Sequence, residues 1–90
     1  MAHTIHHQKK LLARVRRIRG QTEGLERALE EQKDCFDVLQ QIASIRGAIN
    51  GLMSEVIEGH VDEHIAEPKN ERERAKGAEE LMQILRSYIK

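Results

Sequence analysis

The chain has 90 residues, enough for one domain spanning 1–90, and its acidic and basic side chains balance to a net charge of zero. Phe36 and Tyr88 are its only aromatics, which argues against a sheet, while the abundance of Glu, Lys, Arg, Leu, Gln and Ala favours helix. The single cysteine, Cys35, excludes a disulfide framework within the chain. With no apolar run of membrane-spanning length and no signal-peptide core, a reducing cytoplasmic setting is expected.

The sequence predicts an all-α protein of three helices. Residues 1–7, with His3, His6 and His7, read as a flexible N-terminal arm. A first helix over about 5–30 carries Leu11, Val15, Ile18, Thr22, Leu25 and Leu29 at alternating steps of four and three, one apolar face. Glu30-Glu31-Gln32-Lys33 reads as a polar turn. Asp34 is a candidate N-cap for the second helix, with Asp37 as its capping partner. That helix is expected to run from Cys35 to about His64. Val38, Ile42, Ile45, Ile49, Leu52 and Val56 form its ridge, widened by Leu39, Ala43, Met53 and Ile57. A face this broad implies burial against more than one neighbour. Pro68 ends the segment. Asn70 with Glu73 caps a third helix marked by Ala78, Leu81, Met82, Leu85 and Ile89.

His60 and His64 share one helix face, one turn apart, a spacing that suits chelation of one ion but also occurs on ordinary solvated surfaces. Cys35 is equally ambiguous. A lone cysteine is commonly a small buried apolar residue, yet a helix N-terminus favours negative charge on sulfur. Taken together the three are more informative. Cys35 and His60 are 25 residues apart on one helix, about 37 Å, too far for one ion. Two copies of the helix packed antiparallel bring Cys35 of one chain beside His60 and His64 of the other. The symmetry axis then falls near Gly47-Ala48-Ile49-Asn50-Gly51, where small residues allow a close crossing. Gly47 and Gly51 serve packing within one chain equally well. Ala2 is small enough for Met1 removal, which places a free α-amine beside His3.

Lys9, Lys10, Arg14, Arg16, Arg17 and Arg19 all precede the first acidic residue, Glu23. Lys10, Arg14 and Arg17 form a stripe beside the apolar face, suited to phosphate contact. The same run also describes a solvated face. Helix-turn-helix and zinc-finger spacings are absent, so duplex recognition would rest on backbone and shape. No acid/base pair sits in an expected pocket, so an enzyme is not expected.

The segments Arg14-Val-Arg-Arg-Ile-Arg-Gly-Gln21, Leu39-Gln-Gln-Ile-Ala43, Arg46-Gly-Ala-Ile-Asn-Gly-Leu-Met53 and Ser87-Tyr-Ile-Lys90 resemble the CsoR/RcnR family of bacterial repressors along essentially the whole chain. The resemblance implies an antiparallel helical dimer that pairs into a disc-like tetramer, a dimer of dimers. It implies a metal site shared between the cysteine that opens one second helix and the far end of its partner. It also implies operator DNA as the partner of the metal-free protein, with release by metal and derepression of an exporter. Arg46 joins the first-helix cations as a candidate DNA contact. Copper(I) sensors of the family carry a second cysteine where this chain has His64. The nickel/cobalt branch carries the set His3, Cys35, His60 and His64, all present here; the Ala2 α-amine, and a water or a carboxylate such as Glu63, could extend it. Mixed nitrogen, sulfur and oxygen donors in high number suit Ni(II) or Co(II), with Zn(II) a weaker fit at its usual four ligands. Two rivals remain: a formaldehyde-responsive repressor of the same fold acting through Cys35, and a helical metal-binding protein with no DNA role.

Overall fold

The computed structural model describes residues 5–88. They form α1 (Ile5–Glu30), α2 (Cys35–Val61) and α3 (Glu71–Tyr88), with one π-helical turn, Asp62–Ala66, continuing α2. No strand occurs among the described residues, and no helix there is long and apolar enough to cross a membrane.

Each boundary has a local cause. Gln32 sits in the left-handed region (φ 56°). Its N–H bonds back to the Leu29 carbonyl at 3.1 Å, and the Lys33 N–H to the Ala28 carbonyl at 2.9 Å. These two bonds close the end of α1, with Gln32 where glycine is usual. Asp34 then caps α2: its Oδ1 accepts the Asp37 N–H at 2.9 Å. Asn70 Oδ1 caps α3 through the Arg72 and Glu73 N–H groups at 2.7 and 3.4 Å. α2 ends sooner than expected, at Val61 rather than His64. The chain widens into five-residue hydrogen bonding, with Glu67 N–H on Asp62 O at 2.9 Å, before Pro68 denies the helix another donor. α1 includes His6 and His7, in keeping with the first helix expected over about 5–30.

α1 and α2 form an antiparallel hairpin, with Gln21 Nε2 donating to Ser44 Oγ at 3.2 Å across it. α3 folds back along the C-terminal half of α2, and the Tyr88 hydroxyl donates to Asn50 Oδ1 at 2.9 Å. Among the described residues α1 and α3 do not meet. The three helices therefore lie in one layer, 55 × 31 × 13 Å, hardly thicker than a helix with its side chains.

The faces that meet within the chain differ from those expected. α1 turns Leu11, Arg14, Ile18, Gln21, Leu25 and Ala28 toward α2, whereas Val15, Thr22 and Leu29 are exposed. α2 answers with Val38, Gln41, Ile45, Ala48, Leu52, Glu55 and Gly59, leaving Leu39, Ile42, Ile49 and Val56 exposed. On α3, Leu81 and Leu85 are half-buried while Ala78 and Met82 are exposed; Ile89 lies outside the described residues. Each sequence stripe had merged two adjacent stripes, of which only one is covered by the chain's own helices. Among the described residues the buried apolar core is accordingly minimal: Ala28 and Ile45, 4% and 8% exposed.

Candidate metal centre and basic face

The end of α2 and the π turn carry three of the expected donors, which meet in pairs rather than around one point. The rings of His60 and His64 lie 4.7 Å apart, centroid to centroid. Glu63 Oε2 is 3.1 Å from His64 Nε2. Glu63 Oε1 is buried without a hydrogen-bond partner, on a side chain only 16% exposed. A carboxylate oxygen without a partner, next to an imidazole that itself faces a second one, has the donor chemistry of part of a divalent-metal site, not of a whole one. His60 is further oriented: its Nε2 lies 3.0 Å from the Gly77 carbonyl oxygen. A carbonyl only accepts, so Nε2 carries a proton, and in the neutral imidazole Nδ1 is then the nitrogen with the lone pair. Metal-ligating histidines are commonly braced this way through their second nitrogen.

Gly77 makes that contact attainable. A Cβ there would sit 2.9 Å from both the carbonyl carbon and the Cβ of His64, and closer still to its carbonyl oxygen. α3 thus approaches the π turn closely because residue 77 has no side chain. Glu63, His64, Pro68, Glu73, Lys76, Gly77 and Glu80 line an open depression of about 480 Å³ at this junction. Glu80 Oε1 is 3.9 Å from His60 Nε2.

Cys35 is exposed at the opposite end of α2. The helix is continuous between them, so Cys35 and His60 are separated by about 37 Å within one chain. Among the described residues of a single chain, no three His, Cys, Asp or Glu side chains converge as a complete metal site requires. His3 and the Ala2 α-amine lie outside the described residues.

The basic face divides in two. Lys9, Arg16, Arg17 and Arg19 on α1 and Arg46 on α2 are exposed, and none forms an ion pair among the described residues. Lys10 and Arg14, expected to belong with the outward stripe, instead lean onto α2. Lys10 Nζ is 3.1 Å and Arg14 Nη2 3.4 Å from Glu55 Oε1. The Lys10 hydrogen bond, followed by the charges of Lys10 and Arg14, holds the Glu55 carboxyl below its ordinary value despite some opposing desolvation. Gly51 faces this cluster too, because a Cβ there would lie 3.0 Å from Arg14 Nη1. Of the two glycines considered for a crossing, Gly51 therefore serves packing within the chain, while Gly47 has open space around it.

Glu55, Gly77 and Glu80 escaped the sequence reading. Glu55 carried a usable signal: it extends the series Ile45, Ala48, Leu52 by the same three- and four-residue steps, placing a carboxylate on a face that meets α1.

Two solved structures share this architecture. The copper-sensing repressor CsoR of Geobacillus thermodenitrificans, with Cu(I), aligns at a TM-score of 0.91 and 26% identity, covering 100% of this chain and 94% of that one. The formaldehyde-responsive regulator FrmR of Salmonella enterica serovar Typhimurium, in a variant with a glutamate replaced by histidine, aligns at 0.90 and 47% identity, covering 98% and 100%. The single layer of three helices is thus that of a class of small transcriptional repressors. In sequence, the transcriptional repressor RcnR of Citrobacter koseri is 50% identical over the full length of both chains. The family model of metal-sensitive transcriptional repressors matches residues 7–87. The chain belongs to this family, the CsoR/RcnR repressors, whose members regulate transcription and are not enzymes.

Proposed function

We propose that the protein is a nickel- or cobalt-responsive repressor that holds operator DNA when metal-free and releases it when metal binds, derepressing a metal exporter. The observation that carries this reading is the division of donors along α2. Cys35 is exposed at one end, and the His60–Glu63–His64 cluster with its orphaned carboxylate oxygen lies at the other. Exposed apolar side chains run between them. An antiparallel pair of α2 helices covers that stripe and joins Cys35 of one chain to His60 and His64 of its partner at both ends. Two such dimers stack into a disc-like tetramer through the faces that remain. His3, with the Ala2 α-amine, completes the donor set from the N-terminus.

The bound ion supplies a cross-link between chains through mixed nitrogen, sulfur and oxygen donors. The chain's own residues do the rest. Gly77 holds the His60 proton on Nε2 and presents Nδ1. Glu63 supplies an anionic oxygen. Cys35 supplies the thiolate, and His64 replaces the second cysteine that a copper(I) site would favour. Lys9, Lys10, Arg14, Arg16, Arg17, Arg19 and Arg46 supply the phosphate contacts, in a binding mode that weakens steeply with salt.

Metal and DNA must weaken each other by the same factor. A coupling of about 3 kcal/mol corresponds to a roughly 150-fold change in operator affinity. Titrating Ni(II), Co(II), Zn(II) and Cu(I) into the anaerobic reduced protein on labelled operator tests the reading. Nickel or cobalt releases the DNA and the other ions act weakly. Unchanged operator affinity at saturating nickel and cobalt would rule it out.

A second reading has Cys35 respond to formaldehyde. The exposure of that thiol and the 47% identity to a formaldehyde-responsive regulator favour it. His64→Glu separates the two, since a metal response collapses in this variant and an aldehyde response persists.

A further inference from the structure

Two of the cations expected to meet a DNA phosphate are engaged by an anion of the same chain. Lys10 and Arg14 lie one turn apart on α1, and both reach one oxygen of Glu55 on α2, at 3.1 and 3.4 Å. The site is shaped for this contact. Gly51, one turn before Glu55, leaves the space that the Arg14 guanidinium crosses. Glu55 is only 20% exposed, so it is held between the helices rather than waving in solvent. Among the described residues, Lys9, Arg16, Arg17 and Arg19 form no ion pair. Arg17, next along the stripe, lines an open dent with Ala13 and Arg14, of about 240 Å³.

We propose that Glu55 is a built-in competitor for the DNA phosphate: its carboxylate occupies the anion position between Lys10 and Arg14, and the protein gives up that contact to seat the nucleic-acid backbone. The inference rests on the reading of the chain as an operator-binding repressor and adds a regulator of the same interface. A carboxylate and a phosphate oxygen ask for the same donors, and a lysine–arginine pair one helical turn apart suits either. In the free protein these two cations shed part of their counterion atmosphere to Glu55. Binding DNA then exposes Glu55, which takes up a cation, so the net ion release is smaller than the number of phosphate contacts implies. Glu55 also lies on α2 five residues before His60. Any shift of that end of the helix changes how tightly Lys10 and Arg14 are held, which connects the metal end to the basic face without touching DNA directly.

Glu55→Gln in the full-length, metal-free protein tests this, with operator affinity followed by fluorescence anisotropy from low to moderate salt. Glu58→Gln, at an exposed carboxylate on the same helix that forms no ion pair among the described residues, removes an equal charge as the control. The expected result is that Glu55→Gln tightens binding about threefold to tenfold, more than Glu58→Gln does. The logarithmic salt dependence also steepens, and the difference between the two variants disappears when Lys10 and Arg14 are both glutamine. Glu55→Ala gives the same direction and serves if the glutamine variant is poorly folded. Equal effects of Glu55→Gln and Glu58→Gln, or weaker binding by Glu55→Gln, overturn the proposal while leaving the repressor reading intact. Failure of the unmodified protein to bind any duplex in a salt-dependent manner overturns both.

Discussion

Gly77 decides how the chain organises its histidines. It lets the α3 backbone reach the π turn, and its carbonyl then dictates which nitrogen of His60 is left to donate electrons. Gly77→Ala drives a methyl group into the His64 backbone, which cannot retreat without unwinding the turn. The expected loss is about 1–3 kcal/mol of stability, the range for an overpacked site. It should be accompanied by weakened metal binding, because His60 loses its brace. Denaturant unfolding of the metal-free protein measures the first effect and competition with a chelator the second. A stable variant with unaltered metal affinity would show that the close approach has no functional weight. Residue type and spacing singled out Cys35, His60 and His64 as candidates, and the family resemblance joined them into a ligand set to which Glu63 was only a possible addition. Thiol and imidazole are scarce and their chemistry is specific. Glu55 stayed hidden for the opposite reason. Carboxylates are abundant here, and its meaning depends on Lys10 and Arg14, which are more than 40 positions away in the chain.

The helix ends were legible because each is written in short-range chemistry. Asp34 and Asn70 cap through their own side chains, and Pro68 removes a donor. Helix faces are a different problem. Leu11, Ile18 and Leu25 on α1, or Val38, Ile45 and Leu52 on α2, are as apolar as their neighbours Val15, Ile42 and Ile49. Periodicity identifies the wide stripe without saying which edge another helix of the same chain takes. The π turn was not legible either, since nothing in Asp62–Ala66 distinguishes it from α-helix before α3 packs there. One element departs from its ideal residue. Gln32 holds a left-handed conformation at the end of α1, which costs a side-chain-bearing residue about 1–2 kcal/mol. Part of that is offset by the greater freedom glycine loses on folding. Gln32→Gly should therefore stabilise the hairpin by about 0.5–1 kcal/mol with no change in DNA or metal binding. Thermal and denaturant unfolding report it. A destabilised glycine variant would mean that the glutamine side chain makes a contribution the backbone geometry does not reveal.

At the scale of the whole molecule the dominant property is thinness. A compact monomer of this mass exposes about 5,400 Å², but this chain exposes 7237 Å². Its radius of gyration is 17.2 Å, against about 12 Å for a compact domain of this length. Phe36, at 66% exposure, and Leu39, Ile42, Ile49 and Val56 along the same helix are left exposed among the described residues. Two buried apolar residues do not sustain a fold alone. Stability should therefore be inseparable from association. The thermal midpoint is expected to rise with protein concentration. Ile49→Glu, which places a charge on the exposed stripe near its middle, is expected to lower both the midpoint and the oligomer mass. A concentration-independent transition from a monomer, measured by sedimentation alongside calorimetry, would contradict this. The breadth of the apolar pattern in the sequence already implied more than one neighbour. Which part of that pattern the chain's own helices leave uncovered becomes evident only when the two covered stripes are seen.

The length of α2 carries a quantitative corollary for the proposed pairing. Twofold symmetry turns one half-site at each helix end into two complete sites per pair, hence one ion for every chain. The two sites stand about 37 Å apart, more than four screening lengths at physiological ionic strength. Ions bound there do not sense one another through solvent. If the binding isotherm is cooperative, the message travels as mechanical displacement along a shared rod, and added salt should leave its steepness unchanged.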